Sequence, residues 1–212
     1  MSRNVKISSG LVVVAALVLL VAATAGDNQD PPGEAEDTST QLVRSDSQYL
    51  SVGDSGVVFV EFLDFECEGC RAAYPAIEEL RSKYGDRVSF VVRNFPLHNN
   101  SVAAASAAEA AAAQGKFEEM YHLLFTTQPE WGEKSTSQES VFFGFAEQLG
   151  LDMDQFEAVY NDPATVEKIN RDKEDGVTLG VQATPTFFLD GEKLEIRTFG
   201  ELVERIEQAI GG

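Results

Sequence analysis

The chain has 212 residues and a formal net charge of −19, with 16 Lys and Arg against 35 Asp and Glu. A polyanion of this kind excludes recruitment of nucleic acid or anionic lipid through a basic patch. At this length and with 43% hydrophobic residues, one domain, with or without a large insertion, can bury a core without disulfide staples.

The N-terminus begins with Arg3 and Lys6, continues as an uninterrupted apolar run from Leu11 to Ala25 (one Thr included), and closes on the small-residue triplet Ala23-Thr24-Ala25 before Gly26. Residues 1–25 therefore read as a cleaved signal peptide or as a retained membrane anchor, and both place the rest of the chain outside the cytoplasm. Residues 26–41 are acidic and rich in Pro, Gly, Ser and Thr, the composition of a disordered linker, which leaves 42–212 as the folded domain.

In that domain, Val57 to Asp64 is a run of β-branched and aromatic residues and predicts a buried strand. A helix is predicted from about Cys67 to Tyr84, with Ala73, Ile77, Leu80 and Tyr84 at helical spacing, Pro75 as a kink and Gly85 at its end. Val88 to Arg93 predicts a second strand, giving a βαβ unit with a parallel pair. A helical insertion over about 99–179 comes next: Ser101 to about Phe125, Gln138 to Leu149, Met153 to Tyr160, and Pro163 to about Leu179. Trp131, Phe142, Phe143 and Phe145 read as its core, or less plainly as a peptide groove. Thr186 to Leu189 is then a strand, Asp190-Gly191 a hairpin turn and Lys193 to Arg197 the returning strand. Leu202, Val203, Ile206 and Ile210 mark a closing amphipathic helix.

The chain's two cysteines, Cys67 and Cys70, stand two residues apart where the first strand turns into its helix, the layout of a thiol–disulfide redox site. The first helical turn favours a thiolate at Cys67, which becomes the attacking and attacked sulfur, with Cys70 more buried and resolving. A structural bridge would close a tiny loop and stabilise little. A zinc site would need two more ligands, and His98 and His122 stand at no recognised spacing, so both histidines read as surface or core-edge groups. Glu66 and Glu68 flank Cys67 and oppose its thiolate unless they act through the helix dipole, while Arg71 offsets them in part. Glu61, between Val60 and Phe62, is an acid in a buried strand and a candidate proton acceptor beneath the pair. Thr184-Pro185 at the mouth of a strand is an ordinary boundary or a cis-proline.

The run VVFVEFLDFECEGCRAAYP, the helical insertion with its AAAQGKF segment, and GVQATPTFFLDG together resemble DsbA-like thiol–disulfide oxidoreductases of the thioredoxin superfamily, from about Leu42 to Ile210. The resemblance implies an α/β thioredoxin fold with the insertion capping the site, Cys67 and Cys70 as the catalytic pair, and Glu61, Thr184 and Pro185 in support. Pro185 would be cis and face the disulfide, and the Thr184 backbone would pair with an extended substrate. No cofactor or metal is implied. The implied partners are unfolded or reduced secreted proteins and a membrane-embedded redox partner, with no nucleic acid. Glu68-Gly69 departs from the Pro-His dipeptide of strongly oxidising members, which leaves a reductase or isomerase of the same fold open. A tethered chaperone-like binding module is the alternative from another class.

Overall fold

The computed structural model describes residues 38–211, so the predicted signal or anchor and most of the linker lie outside the described residues. No helix among the described residues is long and apolar enough to cross a membrane. The described residues form, in order, α1 (Thr38–Leu42), β1 (Gln48–Ser51), β2 (Val57–Leu63), α2 (Glu68–Tyr84), β3 (Val88–Asn94), α3 (Ser101–Ala112), α4 (Phe117–Trp131), α5 (Glu139–Gln148), α6 (Met153–Tyr160), α7 (Pro163–Thr178), β4 (Thr186–Leu189), β5 (Glu192–Lys193) and α8 (Phe199–Gly211).

The sheet order is β1-β3-β2-β4-β5, with β2 and β3 parallel and the other pairs antiparallel. This is the α/β thioredoxin fold, with α3 to α7 as the insertion between β3 and β4. The central strand β2 is covered on both faces, which is why its sequence reads as a near-continuous apolar run. Phe59 and Leu63 point to one face and pack with Ile77, Leu80 and Tyr84 of α2. Val60 and Phe62 point to the other, with Val91, Phe95 and Phe188. Over that second face runs α7, where a Cβ at Gly176 would lie 2.8 Å from the Phe95 ring, so only glycine permits so close an approach.

The insertion is built around α3. Ala104, Ala105, Ala107, Ala108, Ala110 and Ala111 are all buried, because small side chains let α3 contact α4, α5, α6 and α7 together. Trp131, Phe142 and Phe145 are buried core in this region and Phe143 packs partly buried against it.

Three expectations are corrected, and one strand was not foreseen. The helical stretch predicted to run from Ser101 to Phe125 is two helices. Gly115 takes a φ of +69°, and the amide of Lys116 donates to the carbonyl of Ala111 at 2.9 Å, a glycine-centred stop that reverses the chain. The returning strand predicted over Lys193 to Arg197 is only Glu192–Lys193, because the Arg197 amide turns away to the Glu201 carboxylate of α8 at 2.8 Å. Thr38–Leu42, mostly inside the predicted linker, forms α1, and the guanidinium of Arg93 donates to the Leu42 carbonyl at 2.8 Å. Strand β1 was not foreseen, since Gln48–Ser51 is too short to show an alternation. The hairpin turn stands as read: Asp190 and Gly191 both take positive φ, at 47° and 88°.

Candidate active site

Strand β2 ends at Leu63, and Asp64 starts a tight turn in which its carbonyl accepts the Cys67 amide at 3.0 Å. Cys67 is the N-cap of α2, with an extended backbone. Cys70, one turn on, is buried at 1% exposure while Cys67 is partly exposed, so one sulfur meets incoming molecules and the other lies beneath it. Both are free thiols in this structure. The Thr184–Pro185 peptide is cis. Pairing of Phe62 with Thr186 brings that loop beside the cysteines. The Cys67 thiol donates to the Thr184 carbonyl at 3.3 Å, and a Cβ at Gly69 would lie 3.3 Å from Pro185 Cδ and 3.5 Å from Cys67 Sγ. Pro185 therefore stands over the CxxC turn.

The two thiols have opposite acidities. The Cys67 pKa falls to about 5, chiefly because the Cys70 thiol donates to its sulfur; amides of Cys70 and Gly69 act the same way against the cost of partial burial. Burial pushes the Cys70 thiol well above its ordinary value. Glu61 is 3% exposed on the face of β2 that meets α2, and burial raises its pKa to about 8, with charge on Glu78 and on Cys67 acting in the same direction. It is a neutral acid at pH 7 and gives up its proton only at the expense of burying a charge.

The flanking glutamates do not act as a pair. Glu68 is exposed, whereas Glu66 is buried and accepts the amides of Asn100 at 2.6 Å and Glu133 at 3.0 Å, tying the turn to the insertion. Arg71 donates from its Nε to Gln128 at 2.9 Å.

Three residues in the site were not foreseen. Gln128 of α4 donates to the carbonyls of Phe65 at 2.7 Å and Cys67 at 3.0 Å, so the insertion clamps the turn directly. A signal existed: Gln128 falls among Tyr121, Leu124, Phe125 and Trp131 on the buried face of α4, where an apolar residue is due. Asp64, 2% exposed, accepts the amides of Glu66 and Leu97 and meets His98 Nδ1 at 2.6 Å. His98 was read as a surface or core-edge group and is exposed, as read; what was not foreseen is that its ring joins the site through Asp64. Among the described residues no cluster of three or more His, Cys, Asp and Glu could hold a metal.

A thioredoxin fold with a cysteine pair at the head of its first long helix, facing a cis-proline, defines a thiol–disulfide oxidoreductase. The chain belongs to the thioredoxin family: the family described as "Thioredoxin" matches residues 51–208. A thioredoxin-like oxidoreductase from Silicibacter pomeroyi has a solved structure similar to it, with 25% identity and a TM-score of 0.69 over 82% of this chain and 98% of that one. BdbD from Bacillus subtilis shares the fold at 22% identity and a TM-score of 0.69, over 78% of this chain and 94% of that one. A curated relative, the Na(+)/H(+) antiporter NhaA of Herminiimonas arsenicoxydans, is 38% identical over 141 residues, 66% of this chain. The chain spans about a fifth of the length of such relatives, 22% in that case.

Proposed function

We propose that the protein forms disulfides in secreted polypeptides outside the cytoplasm, by exchange through Cys67 and Cys70. The observation that supports exchange most is the partly exposed Cys67 sulfur above the buried Cys70, beside the cis Thr184–Pro185 peptide, where the Cys70 thiol and the helix-start amides hold the Cys67 pKa down to about 5. A stabilised thiolate favours the reduced protein and so makes its disulfide an oxidant.

In this reading the Cys67–Cys70 disulfide is the starting state. A substrate thiolate attacks Cys67 Sγ, the Cys67–Cys70 bond breaks, and Cys70 leaves with the electron pair and gains a proton. Glu61, buried on the same face, is the candidate acid for that proton and its acceptor on reoxidation. A second substrate thiolate attacks the substrate sulfur of the mixed disulfide, the substrate is oxidised by two electrons, and Cys67 leaves as a thiolate. A membrane-embedded partner restores the disulfide. The Thr184 backbone would hold an extended substrate, and a groove of about 650 Å³ beside Pro185, lined by Ala72, Ala76, Phe187, Ile196 and Phe199, would take its side chains. The 1–25 segment supports the extracytoplasmic placement.

The test is the reduction potential of the pair in glutathione buffers. A value towards about −120 mV is expected for a disulfide donor; one near about −270 mV makes the protein a reductase. Cys67→Ser should abolish exchange on a reduced model substrate, and unchanged exchange would overturn this reading; protection of an unfolded client by the variant lacking both cysteines would favour the binding-module reading.

The antiporter relatives favour a second reading of the partner. The matching segment is 22–23% of proteins named Na(+)/H(+) antiporter, so this chain would act together with a membrane antiporter. Co-purification of the full chain with an antiporter from detergent-solubilised membranes would support it; recovery only with soluble secreted clients would not.

A further inference from the structure

A closed ring of hydrogen bonds joins the insertion to the cysteine turn. Gln128 of α4 is 3% exposed, and its Nε2 donates to two carbonyls of the turn, those of Phe65 at 2.7 Å and Cys67 at 3.0 Å. Its Oε1 accepts Arg71 Nε at 2.9 Å; a guanidinium can only donate, so this contact fixes which end of the amide faces the turn. Arg71 closes the ring through its backbone, donating its amide to the same Cys67 carbonyl at 3.1 Å. The Cys67 amide is itself bonded to the Asp64 carbonyl at 3.0 Å. The whole Cys67 backbone is therefore held while its sulfur stays partly exposed. Phe65 packs against the Tyr121 and Phe125 rings of α4, with centroids 6.1 and 5.3 Å away, so its carbonyl, once released, would lie against an apolar wall.

We propose that Gln128, oriented by Arg71, is a positioning residue that holds the reduced form of the cysteine pair and so makes the Cys67–Cys70 disulfide a stronger oxidant. This rests on the exchange reading above. The two redox forms need the ring unequally. In the disulfide form the bond between Cys67 and Cys70 closes the turn by itself. In the dithiol form, the one seen here, no covalent bond does so, and the ring is what keeps the turn in place beneath the two sulfurs. Loss of Gln128 therefore destabilises the reduced protein more than the oxidised one. Stability and redox equilibrium are linked, so that same difference shifts exchange with glutathione toward the protein disulfide. In that exchange two glutathione thiols pass two electrons to the protein: the Cys67–Cys70 bond breaks, the glutathione disulfide forms, and both protons end on the protein thiols. Gln128 makes and breaks no covalent bond; it acts through the backbone that carries Cys67.

The test is the equilibrium of the full chain with glutathione buffers, read beside denaturant melts of its oxidised and reduced forms, in wild type, Gln128→Met, Gln128→Glu and Arg71→Met. Gln128→Met keeps the length of the side chain and removes both donations. It should lower the equilibrium constant for reduction roughly three- to tenfold, a shift of about 15–30 mV to more negative potential. The melts should show the reduced form losing more stability than the oxidised form by the same factor. Gln128→Glu keeps an acceptor for Arg71 but no donor for the turn, and should move the potential the same way. Arg71→Met leaves the Gln128 amide unoriented and should give a smaller shift of the same sign; at a partly exposed position it also serves where a buried substitution prevents folding. The proposal is overturned if the two redox forms lose stability alike and the potential stays at its wild-type value, as a purely structural clamp would require, or if the potential rises. A wild-type pair that does not exchange with glutathione would instead refute the exchange reading, and the paired melts would still decide the role of Gln128.

Discussion

Glu61 and Arg93 are buried ionisable residues on adjacent, parallel central strands, with Glu61 paired to Val92 and Arg93 to Phe62. They point to opposite faces of one sheet, and the sheet treats them oppositely. Arg93, at 0% exposure, is saturated: it donates to Asp172 at 3.0 Å, to Asp175 at 2.5 Å and to the Leu42 carbonyl at 2.8 Å, and lies over the Phe62 ring. Asp175 gains a second cation from Arg44, and Lys168 joins Glu109 to Asp172. Against burial, which works to raise it, these guanidinium groups hold the Asp175 carboxyl below its usual range. Glu61 has only like charge near it, and its acidity is weakened. One face therefore stores a complete charge network that joins α1, β3 and α7, while the other stores an acid poised to change its protonation. Buried charge is architectural where it is paired and available for chemistry where it is not.

The largest expected effect comes from opening the paired side. Arg93→Met keeps much of the volume but leaves Asp172 with Lys168 and the Asn94 amides, and removes the Arg93 hydrogen bonds to the α1 carbonyls. It should cost about 3–5 kcal/mol, a fall of about 10 °C in melting temperature, with Cys67 titration unchanged. Thermal unfolding of both proteins by circular dichroism checks this; a loss below about 1 kcal/mol would mean that the network contributes shape alone.

Removing the unpaired charge should act with the opposite sign. Glu61 binds its proton more tightly folded, near pH 8, than an ordinary carboxyl does near pH 4.5, so the native state loses stability as pH rises between the two. Glu61→Gln abolishes that loss. It should stabilise the reduced protein by about 1–3 kcal/mol at pH 8 and by little at pH 4.5, while slowing reoxidation of Cys70. Denaturant melts at the two pH values read the first effect. A variant equally stabilising at both would show that packing, and not titration, is what changed.

The legibility of each residue in the sequence tracks the range of its interactions. The placement of Cys67, Cys70 and Glu61 was legible because its signals are local: a spacing, a helix start, an acid in an apolar strand. Thr184-Pro185 needed the family resemblance, since proline before a strand is commonplace. Arg93 read only as the end of a strand, because its partners lie 79 and 82 residues away on α7. Asp64 and His98 stand 34 residues apart and meet only once β2 pairs with β3, and Gln128, 63 from Phe65, reaches it only once the insertion has folded over β2. Charge and spacing report where a side chain is; they do not report what reaches it from another element.

The smallest test sharpens the same contrast at the level of one hydroxyl. Tyr121 of α4 is fully buried beside Phe65, Tyr74 and Phe125, and its hydroxyl has no hydrogen-bond partner among the described residues. Burial and the charges of Glu61 and Glu78 push its pKa well up, which places it on the reactive face with Glu61. On the Arg93 face such an atom would find a carboxylate; here it is left over. If it is merely unsatisfied, Tyr121→Phe removes a desolvation cost at almost constant volume and should stabilise the protein by about 1 kcal/mol. A loss of similar size would show that the hydroxyl is held by a buried water, and such a water beside Glu61 would make that face a wetted proton site and not a set of isolated groups. Repeating the melt in Glu61→Gln separates the cases. Two groups that share a water couple by more than about 0.5 kcal/mol, and two that do not are additive.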